Sequence, residues 1–405
     1  MRCILLAVVL CTTSCNGPSK TGQVARQKAH ARMDLVNADL ASQHARQQFE
    51  VGQLEAAITT IDGAIQRYPD KSNYHQLRGR ILLEQHKLDD ALGALETAAT
   101  LNTDAAEPHY LLGVLHQRWS DDVAALQSYT TACENNPSHP QFFLAKAETL
   151  VALGRNEEAI KMLTGNHQFQ HQASISALLG QIYLRTGNPT IAARYLSDSR
   201  SLGNDDLILF SDLALAEFHA GMYAECLMTL RELELTSEDA LSMLQRRTKG
   251  KSLAAIGQLI QGRDICLSVT RLTPQDADAW VDLGYIAWKM GDYRRLEVCG
   301  NEISKLAPIR FEGPLFIGKS AQQAGNDVLA SDSLALAASL SENTEWTRLI
   351  TLSASQTNEK SATVMQEAQH VRAKTAEIRT EEPILGLVER SEPLVTVPQN
   401  LPQQP

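Results

Sequence analysis

Aromatic residues make up only 5% of this 405-residue chain, although 43% of it is hydrophobic. A core of any size must therefore be assembled from Leu, Ala, Ile and Val, a composition that favours helices. Basic excess is missing too. A formal net charge of −10 and a pI of about 5.6 exclude nucleic-acid binding by bulk charge, which needs a basic face against phosphates. Cysteine is sparse beyond the first fifteen residues: Cys133, Cys226, Cys266 and Cys299 stand singly with no CxxC spacing, so no zinc or haem motif results and they read as small buried apolar residues. HExxH, Walker, GxSxG, CxxCH and post-strand GxGxxG patterns are absent, which leaves no catalytic residue, cofactor or metal to expect. The nearest metal candidate, His167 and His171 in "HQFQH", would share a helix face but lacks a third ligand. The acid pairs Asp205/Asp206 and Glu381/Glu382 read as solvated charges.

Long hydrophobic runs are also lacking. The first residues, "MRCILLAVVLCTTSC", hold Arg2 and an apolar stretch from Cys3 to Cys11, too short to span a bilayer. With Thr12, Thr13 and Ser14 before Cys15, the stretch resembles a bacterial lipoprotein signal, although that signal more often has Leu where Thr12 stands. An ordinary secretory leader or a frayed N-terminus is the other reading. The resemblance implies a signal peptide over 1–14, lipidation of Cys15, and a chain anchored by its N-terminal lipid in the periplasm or at the cell surface. Residues 15–37 would then form a tether, flexible over "NGPSKTGQ", and a leading helix. Proline is concentrated at the other end, with Pro383, Pro393, Pro398, Pro402 and Pro405 in a stretch without helical period, so 381–405 reads as a disordered tail.

What recurs is small residues. Ala45, Gly79, Gly113, Ala147, Gly180, Ala214, Gly250, Gly284 and Gly318 are separated by 34, 34, 34, 33, 34, 36, 34 and 34 residues. Ala57, Ala91, Ala125, Ala159 and Ala192 follow twelve behind, with Ala330 in the last unit; Ala64, Ala98, Ala132 and Ala337 form a third series. Helices that approach to about 8–10 Å accept only Gly or Ala where they cross. These positions therefore mark contacts, and Gly284→Leu should force a pair apart while Gly→Ala does much less. Pro69, Pro137, Pro274 and Pro308 end units by stopping the second helix.

This period resembles the tetratricopeptide repeat family, whose 34-residue unit is two antiparallel helices. The stretch from Ala277 to Arg310 is the best copy, with Trp280, Leu283, Gly284, Gly291 and Pro308 at pattern places and Leu296 where Ala is usual. The resemblance implies an all-α solenoid over 38–344. About nine units begin near Ala38, Ser72, Ala106, Pro140, Ala173, Leu207, Met243, Ala277 and Phe311, and closing helices follow over 345–380. The spacing breaks at "LTGNHQFQHQAS" and at "LTSEDALSMLQ", each a change of pitch or an internal boundary. Trp280 falls where the repeat buries a bulky residue; Trp288 falls between core and groove.

Ligands of this family lie along the groove lined by places two, five, nine, twelve and thirteen of each first helix. Place nine reads Arg46, Arg80, Val114, Glu148, Gln181, Leu215, Lys251, Tyr285 and Lys319, and place thirteen adds Arg118, Arg185 and Lys289. The implied site is Arg247, Lys251, Tyr285, Trp288, Lys289 and Lys319, taking a protein or peptide, acidic by charge complementarity. No unit has the place-nine Asn of the chaperone-tail clamp. The expected function is a non-catalytic protein-binding scaffold; the alternatives are a subunit of an envelope secretion or polysaccharide-assembly machine, and an enzyme using His167 and His171.

Overall fold

The computed structural model describes residues 20–169, 171–236, 241–341, 347, 348, 350 and 351. The leader, Cys15 and the tail over 381–405 lie outside the described residues. So does the closing segment, apart from Thr347, Arg348, Ile350 and Thr351, which are helical. The described residues form α-helices and one 3-10 turn, with no strand among them. Two compact units divide between Phe169 and Gln170, inside the first of the two breaks in spacing.

The first unit contains α1 (Lys20–Glu50), α2 (Leu54–Arg67), α3 (Ser72–Glu84), α4 (Leu88–Leu101), α5 (Ala106–Arg118), α6 (Asp122–Asn135), α7 (Pro140–Ala152), α8 (Asn156–Gly165) and the 3-10 turn His167–Phe169. The second contains α9 (Ala173–Arg185), α10 (Pro189–Ser201), α11 (Leu207–His219), α12 (Tyr223–Thr236), α13 (Met243–Ala255), α14 (Leu259–Leu272), α15 (Ala277–Met290), α16 (Tyr293–Leu306), α17 (Glu312–Ala324) and α18 (Asp327–Leu340). Seven first helices begin on the expected residue; α17 begins one later, at Glu312. The first helix departs from expectation. It starts at Lys20 and not near Ala38, because "VARQKAHARMDLVNADL" contains no proline and is rich in good helix formers. Residues 20–23, expected in the flexible tether, are helical.

Each first helix packs on its own second helix, and within each unit successive first helices also touch: α1, α3 and α5 in one, α9, α11, α13, α15 and α17 in the other. The second helices come less close to one another, so the first helices line the inner side of each unit. The turn between helices requires a left-handed residue once per pair. Glycine supplies it in seven pairs, while His86 (φ 57°) and Ser120 (φ 60°) adopt it in the other two.

The small-residue series are contacts, as expected. Ala45, Ala57, Ala64, Ala91, Ala98, Ala125, Ala132, Ala147, Ala159, Ala192, Ala330 and Ala337 are fully buried. Gly79, Gly113, Gly180, Gly250 and Gly318 each lie against the side chain sixteen residues on, Leu95, Tyr129, Leu196, Cys266 and Leu334. Gly284 breaks this rule. Sixteen residues on stands Gly300, and the space is filled by the Phe316 ring from α17. The nearest side chain at Gly284 thus comes from the next pair and not from its own second helix. Leu296 is fully buried in the same core cluster.

Trp280 is half-buried, packs against that cluster, and donates its indole N–H to the Pro274 carbonyl at 2.9 Å. It is part of the core's margin and not its centre, because the polar edge of the ring has to reach a partner. Cys226, Cys266 and Cys299 are buried and Cys133 half-buried. Burial pushes the Cys226 and Cys299 thiols up to about 12, the inert state of a structural cysteine.

Candidate functional site

The six residues expected to form a ligand groove do lie on α13, α15 and α17, but most are occupied by the chain itself. Asp282 on α15, with only 2% of its surface exposed, accepts from Arg247 Nε at 2.6 Å and stands 3.7 Å from Lys251 Nζ. Arg247 also meets Asp276 at 3.5 Å and Asp278 at 3.6 Å. Arg310 extends the array to Asp278 and, at 2.9 Å, to Glu312. Burial works against the Arg247 charge, yet the Asp282 carboxylate overcomes it and leaves the guanidinium pKa raised. Three cations are therefore matched by four carboxylates. The expectation that Arg247 and Lys251 face an acidic ligand is corrected: Lys251 is only 3% exposed, and a buried charge needs its own partner.

The remaining members are committed in other ways. Lys289, the exposed one, donates to the Ala254 carbonyl at 3.1 Å, capping the end of the preceding first helix. Arg118, at the same place in the first unit, donates to Leu83 O in the same manner. Half-buried Tyr285 and Trp288 stack with centroids 6.4 Å apart, and both pack edge-on against Phe316. Burial raises the Tyr285 hydroxyl pKa. Lys319 donates to Gln322 at 3.1 Å and lies 5.9 Å from the Trp288 ring centroid.

That last contact belongs to a series. Arg80 lies 5.4 Å from the centroid of Phe49, Lys251 lies 4.9 Å from that of Phe218, and Lys319 does the same on Trp288. In each case the cation is at place nine of one first helix and the aromatic at place twelve of the helix before it. A cation over a ring gains about 0.5–1 kcal/mol when exposed and about 2 when desolvated, so the pair staples neighbouring first helices. The three staples differ in access: Lys251 and Phe218 are buried, Lys319 and Trp288 half-buried, and Arg80 is exposed above half-buried Phe49.

Two open place-nine cations are on the first unit. Among the described residues neither Arg46 on α1 nor Arg80 on α3 forms an ion pair, and both are exposed. Half-buried Tyr110 on α5 lies between Tyr129 and Phe142, its ring tilted to both with centroids 5.7 and 5.0 Å away. Arg46, Arg80, Phe49 and Tyr110 thus occupy neighbouring first helices with no internal carboxylate to neutralise them. Asp39, at place two of α1, is held by Lys71 and by Tyr74, whose hydroxyl donates at 2.6 Å; these hydrogen bonds, Lys71 first, keep its carboxyl below the usual range.

The other notable acid, Glu217 on α11, is 7% exposed and accepts from Thr229 Oγ1 at 2.8 Å. Burial pushes its carboxyl up to about 7. The folded state therefore holds this proton more tightly than the unfolded one, and its stabilising effect is complete below about pH 4 and lost as pH rises through about 7. Glu217→Gln keeps the acceptor and removes the charge. The variant should match the wild type in urea denaturation at pH 4 and exceed it at pH 8 by roughly 2–3 kcal/mol. His219, pushed down to about 4 by burial and by Lys251, titrates the opposite way but equally in both proteins. A gain of the same size at both pH values would show that Glu217 is already ionised in its site.

His167 lies in the 3-10 turn and His171 in the turn after it, so the shared helix face that a metal reading required does not form. Among the described residues no group of three or more His, Cys, Asp or Glu side chains is placed to hold a metal ion.

Residues 42–106 and 77–118 match the model of the tetratricopeptide repeat family. None of the curated proteins matches the chain. Among solved structures, Pseudomonas aeruginosa PilF is 15% identical, covering 54% of this chain and 97% of its own with a TM-score of 0.44. A tetratricopeptide repeat protein from Parabacteroides merdae is 17% identical, covering 58% and 93% with a TM-score of 0.44. PilW, described as a type IV pilus biogenesis factor, is 19% identical, covering 50% and 95% with a TM-score of 0.42.

Proposed function

We propose that this chain is a non-catalytic scaffold that binds an acidic segment of another protein along the inner face of its first unit, and that a lipid on Cys15 holds it to a membrane outside the cytoplasm. The reading of the face is carried by one contrast. The cations of the expected second-unit site are committed within the chain, Arg247 and Lys251 to carboxylates, Lys289 to the Ala254 carbonyl and Lys319 to Gln322, while Arg46 and Arg80 form no ion pair. Phe49 and Tyr110 add flat, half-buried area beside them, and aromatic and Arg residues are the usual anchors of interfaces. The tether is supported by the sequence "TTSC" after an apolar run, and no described helix is long and apolar enough to cross a membrane.

A photo-crosslinking residue placed in living cells tests the face. Substituted for Glu148 or Val114 at place nine, it should yield discrete adducts; substituted for Glu96, exposed on second helix α4, it should not. Arg46→Glu with Arg80→Glu should abolish the inner-face adducts while costing no more stability than the exposed Arg80–Phe49 contact supplies, about 0.5–1 kcal/mol. Adducts that form equally from Glu96, or that persist in the double variant, would move the binding surface to the outer helices.

A further inference from the structure

The first unit's inner face also carries acids, at the end away from Arg46. Glu148 stands at place nine of α7 and Glu107 at place two of α5, and among the described residues neither makes a hydrogen bond or an ion pair. Tyr110 brings them onto one surface with Arg80. Burial first, then Glu107 and Glu148, raise the Tyr110 hydroxyl pKa, and Arg80 lowers it. Two acids and one cation therefore lie around a single ring, whose hydroxyl has no hydrogen-bond partner among the described residues. The helices beneath are tied together: Gln117 of α5 donates to Thr149 of α7 at 3.1 Å and accepts from Tyr129 at 2.7 Å. Acids in the second unit are answered from within, Asp212 by Gln181 at 2.9 Å, Glu217 by Thr229 at 2.8 Å and Asp282 by Arg247 at 2.6 Å. Glu148 has no such answer. It is exposed, yet its neighbours desolvate it enough to push its carboxyl up to about 7, and Arg118 on α5 is spent on the Leu83 carbonyl. A desolvated carboxylate without a counter-charge costs stability, which a cation brought by a ligand recovers.

We infer that the segment bound on this face is bipolar: its acidic residues lie on Arg46 and Arg80, and one Lys or Arg reaches Glu107 and Glu148 beside Tyr110. These carboxylates would repel a segment that was acidic throughout, whereas a base gains two of them and the Tyr110 ring. The spacing follows from the fold. First helices step by about 8–10 Å, α7 is two steps from α3, and an extended chain advances about 3.3 Å per residue. Acid and base in the segment therefore stand about five or six residues apart. The inference rests on the inner-face reading and adds a base to the acidic segment.

A displayed library of random dodecapeptides is selected on the immobilised full chain bearing Cys15→Ser, at a pH about one unit above the point near 7 where Glu148 ionises. Enriched sequences should hold acidic residues and one Lys or Arg about five or six residues away. A synthetic peptide of the enriched sequence should bind at least about tenfold more weakly when its base is changed to Ala. Glu107→Gln with Glu148→Gln should erase that difference while keeping the acidic preference, and Glu148→Lys should enrich an acid where the base stood. The Gln pair removes charges that have no partner, so it should melt no lower than the wild type; it carries the test if Glu148→Lys melts lower. A base preference that survives in the Gln pair, or enriched sequences that are acidic throughout, would overturn the inference and leave the acidic-segment reading standing. An acidic preference unchanged by Arg46→Glu with Arg80→Glu would overturn that reading instead, while the Gln pair still reports whether Glu107 and Glu148 hold the base. Enrichment of no sequence at all would overturn both.

Discussion

Asp282→Ala is expected to lower the unfolding free energy by roughly 3–5 kcal/mol, the range for breaking a buried ion pair from one side. Its carboxylate is 1% exposed and serves two cations, Arg247 at 11% and Lys251 at 4% side-chain exposure. Removing it takes a partner from each. Arg247 retains Asp276 and Asp278 at 3.5 and 3.6 Å, so Lys251 suffers most, left with its charge over the Phe218 ring. Lys251→Met should cost much less than Asp282→Ala, since Asp282 keeps Arg247 at 2.6 Å and is not left unpaired. The double variant should recover a large part of the loss, with a coupling energy of about 0.5–3 kcal/mol. Urea denaturation of the four proteins measures it. Purely additive costs would mean that Lys251 and Asp282 do not act as a pair.

The same array shows where sequence reading succeeds and where it stops. Helix starts at Ser72, Ala106, Pro140, Ala173, Leu207, Met243 and Ala277 were legible because the crossing of two helices admits only Gly or Ala, so spacing alone sets the register. The chemistry of the inner face was half legible. Counting place nine found Lys251 and Lys319 but ignored what stands opposite them about one repeat later. The carboxylates that neutralise Arg247 are in the run "DADAWVD", thirty-odd residues on and plain to see once neighbouring units are read against each other. The cation-over-ring staples were available in the same way, as an aromatic at place twelve followed by a cation at place nine of the next unit. The length of α1 was missed for another reason: the repeat pattern says where the first unit begins to pack, not where its helix begins, and nothing between Lys20 and Ala38 stops a helix.

Gly284→Ala is the second large effect, and here the structure reverses the expectation that alanine would be mild. In a helix interior, Gly→Ala normally gains about 1 kcal/mol through backbone entropy. At Gly284 the new Cβ would stand 2.1 Å from Phe316 Cε2 and 2.6 Å from its Cδ2, and Phe316 is fully buried among Leu283, Leu296 and Leu334. The ring cannot withdraw without displacing that cluster. Overpacking of this kind costs about 1–3 kcal/mol, so Gly284→Ala should be net destabilising and Gly284→Leu should reach the top of the range. Gly93 on α4, where an added Cβ meets nothing within 4 Å, supplies the contrast: Gly93→Ala should stabilise by up to about 1 kcal/mol. Phe316→Leu removes the ring from the crossing, so Gly284→Ala should cost less in that background than in the wild type. Thermal melts of the single and double variants decide the point. Should Gly284→Ala melt above the wild type, the Phe316 ring does not fill the gap that Gly300 leaves.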